Sequence, residues 1–214
     1  MMNHSRLYLV SLLLVLLSAC AVRGPVDEHQ RDASWQQHLH SLLSLNDWGF
    51  DGRASVIDAH TSASMNLRWR QSEDRFDIRL MSFLGQQQAH LQGEADGSVI
   101  LSQPGKPSVQ ASSATSLMRQ ELGWSLPLDG LNFWLRGIPM PDVAADWRLD
   151  ESGRLVWLEQ DGWRIEFAAY MPVEDLQLVR KIRLYHGPVQ IRLVMDHWQI
   201  GRDMTVGDLR DLRS

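Results

Sequence analysis

The strongest constraint in this sequence is a repeated alternation of apolar and polar residues with a period of two. In one segment Met65, Leu67 and Trp69 are separated by single polar residues, and similar segments follow along most of the chain. Such alternation is typical of strands with one buried and one solvated face. Turn dipeptides such as Asp96-Gly97 separate the segments, so successive strands should run antiparallel. The sequence therefore predicts a mainly β (α+β) fold with about eleven antiparallel strands.

Three segments depart from this pattern and have helical periodicity: Asp32 to Asn46, Ser113 to Leu122 and Asp129 to Leu135. In the first of them, Ser34 and Gln37 fit a capping box at the start of a helix. A sheet that is apolar on one side can bury that side by curling around it, and helices can cover the open end. We expect an open antiparallel half-barrel with a lid of about three helices, and a two-sheet sandwich is the alternative.

The N-terminus has the parts of a secretory signal. A polar start containing Arg6 precedes an apolar run that is far shorter than the roughly 20 residues of a permanent membrane span. The sequence Leu17-Ser18-Ala19-Cys20 follows, and it resembles the lipobox of bacterial lipoproteins. That resemblance implies cleavage after residue 19 and lipidation of Cys20, the single cysteine of the chain. Ala21 stands where an aspartate would favour retention in the inner membrane, so we expect a lipid anchor in the outer membrane.

The rest of the chain divides into three parts. Residues 20–32 are predicted to be a flexible tether, residues 33–200 one folded domain and residues 201–214 a polar tail. Without residues 1–19 the formal charge is 20 − 26 = −6, and no basic stripe is present, so we expect no binding of nucleic acid.

Catalytic motifs are not apparent. The segment from Gly123 to Pro127 has a central serine but lacks the final glycine of a nucleophile elbow. His38 and His40 are two residues apart on a predicted helix, so they should point to different faces. No cluster of carboxylates or cysteines accompanies these residues or His186 and His197. We therefore predict that the protein is not an enzyme and has no metal or other cofactor.

Several short motifs, in their order and spacing, resemble the LolB family of outer-membrane lipoprotein receptors. The motifs are the lipobox cysteine, Trp35 and Leu45, the run Trp48 to Arg53, Asp74 to Phe76, Phe83 to Gly85, Trp134 to Pro139 and Val189 to Trp198. The resemblance implies a monomeric protein on the periplasmic face of the outer membrane. It would accept lipoproteins from the periplasmic carrier LolA and insert their acyl chains into the phospholipid of the inner leaflet. The chain departs from the family pattern in its longer polar tail and in Phe83, where a proline is expected.

The resemblance also assigns roles to residues. Inward-facing strand residues would line a cavity for acyl chains: Met65, Leu67, Trp69, Phe76, Ile78, Leu80, Trp163, Ile165, Phe167, Ile191, Leu193 and Met195. Helical residues would form the lid over it: Leu117, Met118, Leu122, Leu131, Trp134 and Leu135. The loop Phe83, Leu84 and Gly85 would protrude and insert into the membrane. The residues alone favour an ordinary packed core and a loop that folds back onto the rim of the barrel, and only the resemblance favours the cavity and the protruding loop.

Three other functions remain open from the sequence. A lipoprotein that binds lipids or small hydrophobic molecules without transferring them would share the cavity and lack a membrane-seeking loop. A structural subunit of an outer-membrane assembly complex would have a dry core and a large flat interface. A lipid-modifying enzyme would need a polar constellation inside the barrel. Cargo preference, the residues that dock the carrier and the motion of the lid are not specified by the sequence.

Overall fold

The computed structural model describes residues 28–58, 62–123 and 125–201. The predicted signal peptide, Cys20, most of the tether and the tail after residue 201 lie outside the described residues. Eleven strands form a single antiparallel sheet: β1 (Asp47–Ile57), β2 (Ser62–Ser72), β3 (Arg75–Met81), β4 (Gln87–Gly93), β5 (Val99–Ser102), β6 (Val109–Ala111), β7 (Ala145–Leu149), β8 (Leu155–Gln160), β9 (Trp163–Val173), β10 (Leu176–His186) and β11 (Val189–Ile200).

The sheet consists of two meanders joined in the middle. Strands β1 to β6 follow one another on one side, β7 to β11 follow one another on the other, and β1 pairs with β11. Strands β6 and β7 are the two edges, and the sheet does not close between them in the described part of the chain. The predicted open antiparallel architecture is therefore confirmed.

Helices α1 (Glu28–Leu43), α2 (Ala114–Leu122) and α3 (Leu128–Trp134) complete the described fold. Helices α2 and α3 lie between the two edge strands in the sequence, and their apolar residues pack into the same core as the sheet. The Ser113 hydroxyl accepts a hydrogen bond from the backbone N–H of Ser116 at the start of α2, and Gly123 ends the helix in a left-handed conformation. The two predicted helices of this region are confirmed to within a residue or so of their expected bounds.

The first helix differs from its prediction. It begins at Glu28 rather than Asp32 and ends at Leu43 rather than Asn46, so residues 28–31 are helical although they were assigned to the tether. Ser34 therefore lies inside the helix, and its predicted role in a capping box is wrong. The residues from Glu28 to Ser34 include Gln30 and Arg31, which like Glu28 favour a helix, and they contain no glycine or proline that would interrupt one.

Strand directions give the barrel two different ends. Helix α1 lies against the β9–β10 turn, since Ser34 and His38 line one groove with Asp175 and Leu176. We call this the closed end. Because neighbouring strands are antiparallel, the β3–β4 loop and the β8–β9 and β10–β11 turns lie at the opposite end, which we call the loop end.

The core nearest the closed end is aromatic. Trp48, Phe50, Trp69 and Trp198 lie on β1, β2 and β11 with ring centroids 5.3–6.3 Å apart, and all four are buried. The indole N–H of Trp198 donates to the Val179 carbonyl at 2.9 Å, so its polar atom is satisfied inside the core.

A β-bulge between Asp51 and Gly52 interrupts the pairing of β1 with β11. A Cβ atom at Gly52 would lie 2.1 Å from the Val194 carbonyl oxygen, so only glycine allows the two backbones to approach here. Trp147 is 46 % exposed. It lies on the edge strand β7, where no further strand covers it in the described part of the chain, and the register of β7 and β8 shifts two residues later.

Arg136 joins the lid to helix α1. One of its terminal nitrogens (Nη1) donates to the carbonyls of Leu42 and Leu45 at 2.9 and 3.0 Å, and its Nε donates to the carbonyl of Asn132 at 2.9 Å. The side chain is almost completely buried. Burial lowers the pKa of the guanidinium to about 10, so Arg136 remains charged at neutral pH and is balanced by the carbonyls at the ends of two helices.

Replacing Arg136 with methionine should destabilise the fold. The substitution keeps much of the volume but leaves three carbonyls without their donor, which should cost about 2–4 kcal/mol of unfolding free energy. Urea denaturation measures the loss. Arg183→Met is the matched control, because Arg183 is exposed and its contact with Glu166 is 3.6 Å long. Equal stability of the two variants would contradict this role of Arg136.

The stability of the fold should also fall below neutral pH because of His38. Burial lowers the pKa of His38 from its usual 6.5, nearby Arg154 lowers it further, and Asp150 partly opposes the shift. Its Nε2 is buried without a hydrogen-bond partner. The unfolded chain therefore takes up the proton first as pH falls through about 6.5, and stability present above that pH is lost below it.

The test compares urea midpoints at pH 7.5 and pH 5. His38→Gln should lose less stability between these two conditions than the unsubstituted protein. His40→Gln is the control on the same helix, because His40 is exposed. If both variants keep the full pH dependence, His38 is not its source.

Candidate functional site

All twelve inner-face residues that the sequence singled out belong to one apolar cluster. Met65, Phe76 and Trp163 are half-buried, and the other nine are buried. The structure thus brings together side chains from both meanders: Met65, Leu67, Trp69, Phe76, Ile78 and Leu80 from β2 and β3, and Trp163, Ile165, Phe167, Ile191, Leu193 and Met195 from β9 and β11. An apolar interior of this kind can hold hydrocarbon.

The six predicted lid residues pack onto this cluster. Leu117, Met118, Leu131, Trp134 and Leu135 are buried, and Leu122 at the end of α2 is half-buried. Removing the lid would therefore expose the apolar side of the sheet along with the apolar side of α2 and α3.

Gln160 holds α3 and the segment after it in place. Its Oε1 accepts hydrogen bonds from the Trp134 indole N–H at 2.9 Å and the Met140 backbone N–H at 2.8 Å. Its Nε2 donates to the carbonyls of Met140 and Val143, each at 3.0 Å. The side chain is only 3 % exposed, so one buried amide satisfies four polar groups.

The β3–β4 loop presents two large apolar side chains to solvent. The Gly85 backbone N–H donates to the Ser82 carbonyl at 3.0 Å, which closes a turn with Phe83 and Leu84 at its central positions. Gly85 has φ +79°, a conformation that favours glycine. Phe83 is 74 % and Leu84 88 % exposed, so neither side chain folds back onto the barrel.

A cleft of about 430 Å³ lies beside this loop. Phe83 lines it together with the inner-face residues Met65 and Leu80 and with Leu122 of the lid. The position of this cleft at the loop end was not predicted, because it depends on where neighbouring strands end rather than on any local motif. Gln160 and Arg136 were also missed, since their partners lie on segments distant in sequence and leave no periodic signal.

The described residues contain no group of three or more His, Cys, Asp or Glu side chains that could hold a metal ion. His186 lies in the β10–β11 turn region with its Nδ1 2.9 Å from the Gly162 carbonyl and its ring stacked on Trp163, and His197 is exposed. Among the described helices, none is both long enough and apolar enough to cross a membrane.

Comparison with known proteins gives consistent matches. A family model described as "Outer membrane lipoprotein LolB" matches residues 46–198. A protein from Nitrosococcus oceani named outer-membrane lipoprotein LolB is 37 % identical over 202 residues, and the alignment covers 94 % of this chain and all of that protein. A protein of the same name from Pseudomonas paraeruginosa is 38 % identical over 197 residues, and the alignment covers 91 % of this chain and 96 % of that protein.

Solved structures support the same fold. A LolA superfamily protein from Nitrosomonas europaea aligns with a TM-score of 0.50 at 7 % identity, covering 80 % of this chain and 93 % of its own. A DUF1329 family protein from Desulfovibrio piger aligns with a TM-score of 0.52 at 7 % identity, covering 86 % and 96 %. At 7 % identity these alignments are evidence for the fold alone.

Replacing Gln160 with leucine should loosen the lid. The substitution leaves the Trp134 indole N–H and the Met140 N–H buried without acceptors, at a cost of about 2–3 kcal/mol. Urea denaturation gives the stability, and limited proteolysis within residues 136–144 reports local opening. Gln177→Leu is the control at an exposed glutamine. Unchanged proteolysis of the Gln160→Leu variant would show that the amide does not hold this segment.

Proposed function

Because this chain belongs to the LolB family of outer-membrane lipoproteins, we propose that it accepts lipoproteins from the periplasmic carrier LolA and inserts them into the inner leaflet of the outer membrane. The match to the family model and relatives at 37–38 % identity over almost the whole chain establish the family. The finer steps of the proposal rest on the chemistry of the cargo and on the exposed loop.

The cargo sets the physical problem. Three acyl chains contain about forty methylene groups, so exposing them to water would cost on the order of 30 kcal/mol. A receptor must therefore take the chains from one apolar environment and deliver them to another without releasing them into water. A difference of a few kcal/mol in affinity between carrier, receptor and membrane is enough to give the transfer a direction.

In the proposal, the inner face of the sheet receives the acyl chains under the lid. The apolar cluster of β2, β3, β9 and β11 supplies hydrocarbon contacts. Since the predicted lid residues are packed onto that face, binding requires α2 or α3 to move away from the sheet. Arg136 and Gln160 fix α3, so α2 is the helix with the greater freedom to do so.

The exposure of Leu84 is the observation that carries the proposal. A leucine in water forgoes about 2 kcal/mol of burial, and Phe83 beside it forgoes a comparable amount. The turn hydrogen bond and Gly85 hold both side chains outward. This arrangement suits a loop that enters the acyl region of a membrane, and a protein that only stores a hydrophobic ligand has no need of it.

The lipid anchor places the domain where this loop is useful. We propose that residues 1–19 are cleaved and that Cys20 carries the acyl chains holding the protein to the periplasmic face of the outer membrane. The short tether after Cys20 would then keep the barrel near the lipid surface, where Leu84 can reach the inner leaflet.

The substitution Leu84→Glu tests the proposal. A charged carboxylate in place of the leucine removes the favourable transfer into lipid, so purified protein should still accept lipoproteins from the carrier but should fail to insert them into liposomes. Acceptance is measured by co-purification of the cargo, and insertion by flotation of the cargo with the liposomes.

Leu43→Glu is the matched control, because Leu43 is another exposed leucine and lies on α1, away from the loop. It should insert lipoproteins at the normal rate. Normal insertion by the Leu84→Glu protein at equal concentration would contradict the role of the loop. Failure of the unsubstituted protein to accept any lipoprotein would contradict the proposed function as a whole.

A further inference from the structure

The rim of the barrel is stepped at the loop end, because β2 extends further than β3. Residues Ser62 to Met65 of β2 pair with β1, where Ser62 lies opposite Ile57 and Met65 opposite Ala54. On the other side β3 ends at Met81, which pairs with Asn66. Among the described residues β3 therefore offers no partner to Ser62–Met65, and the cleft beside Phe83 lies against this unpaired stretch.

The cleft has an apolar floor and a polar rim. Met65, Leu80, Ala89 and Leu122 contribute apolar surface, and the rim carries side chains of the hydrogen-bonding type: Ser64, Ser82, Gln88, Gln103 and Glu121. Its volume of about 430 Å³ lies within the range of about 300–1,000 Å³ that is usual for small-molecule sites. Among the described residues of the lining, Glu121 is the single charged one, so the cleft suits a neutral, flexible hydrocarbon better than a charged ligand.

The floor of the cleft is continuous with the core. Met65 and Leu80 belong to the inner-face cluster, and Leu122 is the one half-buried member of the lid set. Phe83 links the same cleft to the exposed loop. An acyl chain lying in the cleft would therefore touch the apolar interior at one end and the membrane-seeking loop at the other.

The helices over the core differ in how firmly they are fixed. Helix α3 is held by the Trp134–Gln160 hydrogen bond and, just after its end, by Arg136. In the described part of the chain the side-chain hydrogen bonds of α2 are confined to its own N-cap, between Ser113 and Ser116, and the rest of its attachment is apolar contact through Leu117 and Met118. Apolar contacts are non-directional, so α2 can shift and widen the cleft at Leu122 without breaking a hydrogen bond to the barrel.

We propose that this cleft is the passage through which the acyl chains of a lipoprotein leave the barrel for the membrane. The proposal rests on the proposed function and adds the route to it. The opposite end is covered by α1 and tied by Arg136, and between these ends neighbouring strands are hydrogen-bonded to one another except at the seam between the edge strands β6 and β7. The passage opens beside Leu84, so the chains move from protein into lipid with little exposure to water between the two.

Blocking the passage from its rim provides the test. Gln88 is exposed and lines the cleft, so Gln88→Trp places a large ring across the opening with little risk to folding. Gln199→Trp is the matched control, because Gln199 is an exposed glutamine near the other end of the barrel, on β11. Ala89→Trp fills the cleft from its floor and serves as a second blocking variant, with circular dichroism to confirm its fold.

Each purified protein is loaded with a lipoprotein carrying radiolabelled palmitate and mixed with phospholipid liposomes. Gln88→Trp and Ala89→Trp should release the label into liposomes about tenfold more slowly, and Gln199→Trp at the unsubstituted rate. In a parallel experiment, a benzophenone amino acid at position 88 should cross-link to the labelled acyl chains, and the same group at position 199 should not.

The outcomes separate the two proposals. Normal release by both blocking variants, or labelling at position 199 equal to that at position 88, would overturn the passage and leave the proposed function intact. Absence of release from the unsubstituted protein would overturn the proposed function, and the passage with it. Slow release by both blocking variants together with selective labelling at position 88 would establish the route.

Discussion

The pairing of β1 with β11 is the contact on which the rest of the structure depends. It joins strands from opposite ends of the folded domain, and it turns two meanders of six and five strands into one curved sheet. Its register runs from Trp48 opposite Ile200 to Ile57 opposite Gln190, with a bulge between Asp51 and Gly52. Without this pairing each meander would keep one apolar face in water, and helices α2 and α3 would have no common interior to cover. Such a non-local contact should also form late in folding, since its loop is long.

Sequence periodicity predicted most of this fold, because the information lies within each strand. The alternation around Met65, Leu67 and Trp69 or around Ile191, Leu193 and Met195 needs no knowledge of the partner strand. The start of α1 was missed because Ser34 and Gln37 match a capping pattern by chance within a longer helix. The exposure of Trp147 has no local signal in the sequence, because the edge of a sheet is a property of topology. Arg136 reaches the carbonyl of Leu42, and no local pattern records a bond across such a separation.

The candidate site was predicted less completely than the fold, for a related reason. The apolar faces and the loop around Leu84 are visible in the sequence, but the difference between the two ends of the barrel is not. That difference arises because β2 continues past the last residue of β3, and because charged and polar side chains fix α3 but not α2. Both properties depend on the relative lengths of neighbouring strands and on hydrogen-bond partners that are distant in sequence. In the proposed passage they set where an acyl chain crosses the wall, which composition and periodicity leave open.

The open seam between β6 and β7 allows the width of the barrel to change. A closed barrel has its diameter fixed by the number of strands and by their stagger, so enlarging it means breaking a row of backbone hydrogen bonds. In this sheet the two edge strands can move apart or together while all ten strand pairings of the described residues persist. A sheet of this kind can change its internal width without losing a strand pairing. The internal volume of the barrel is then set by the distance between β6 and β7, and it is not fixed at the value of one conformation.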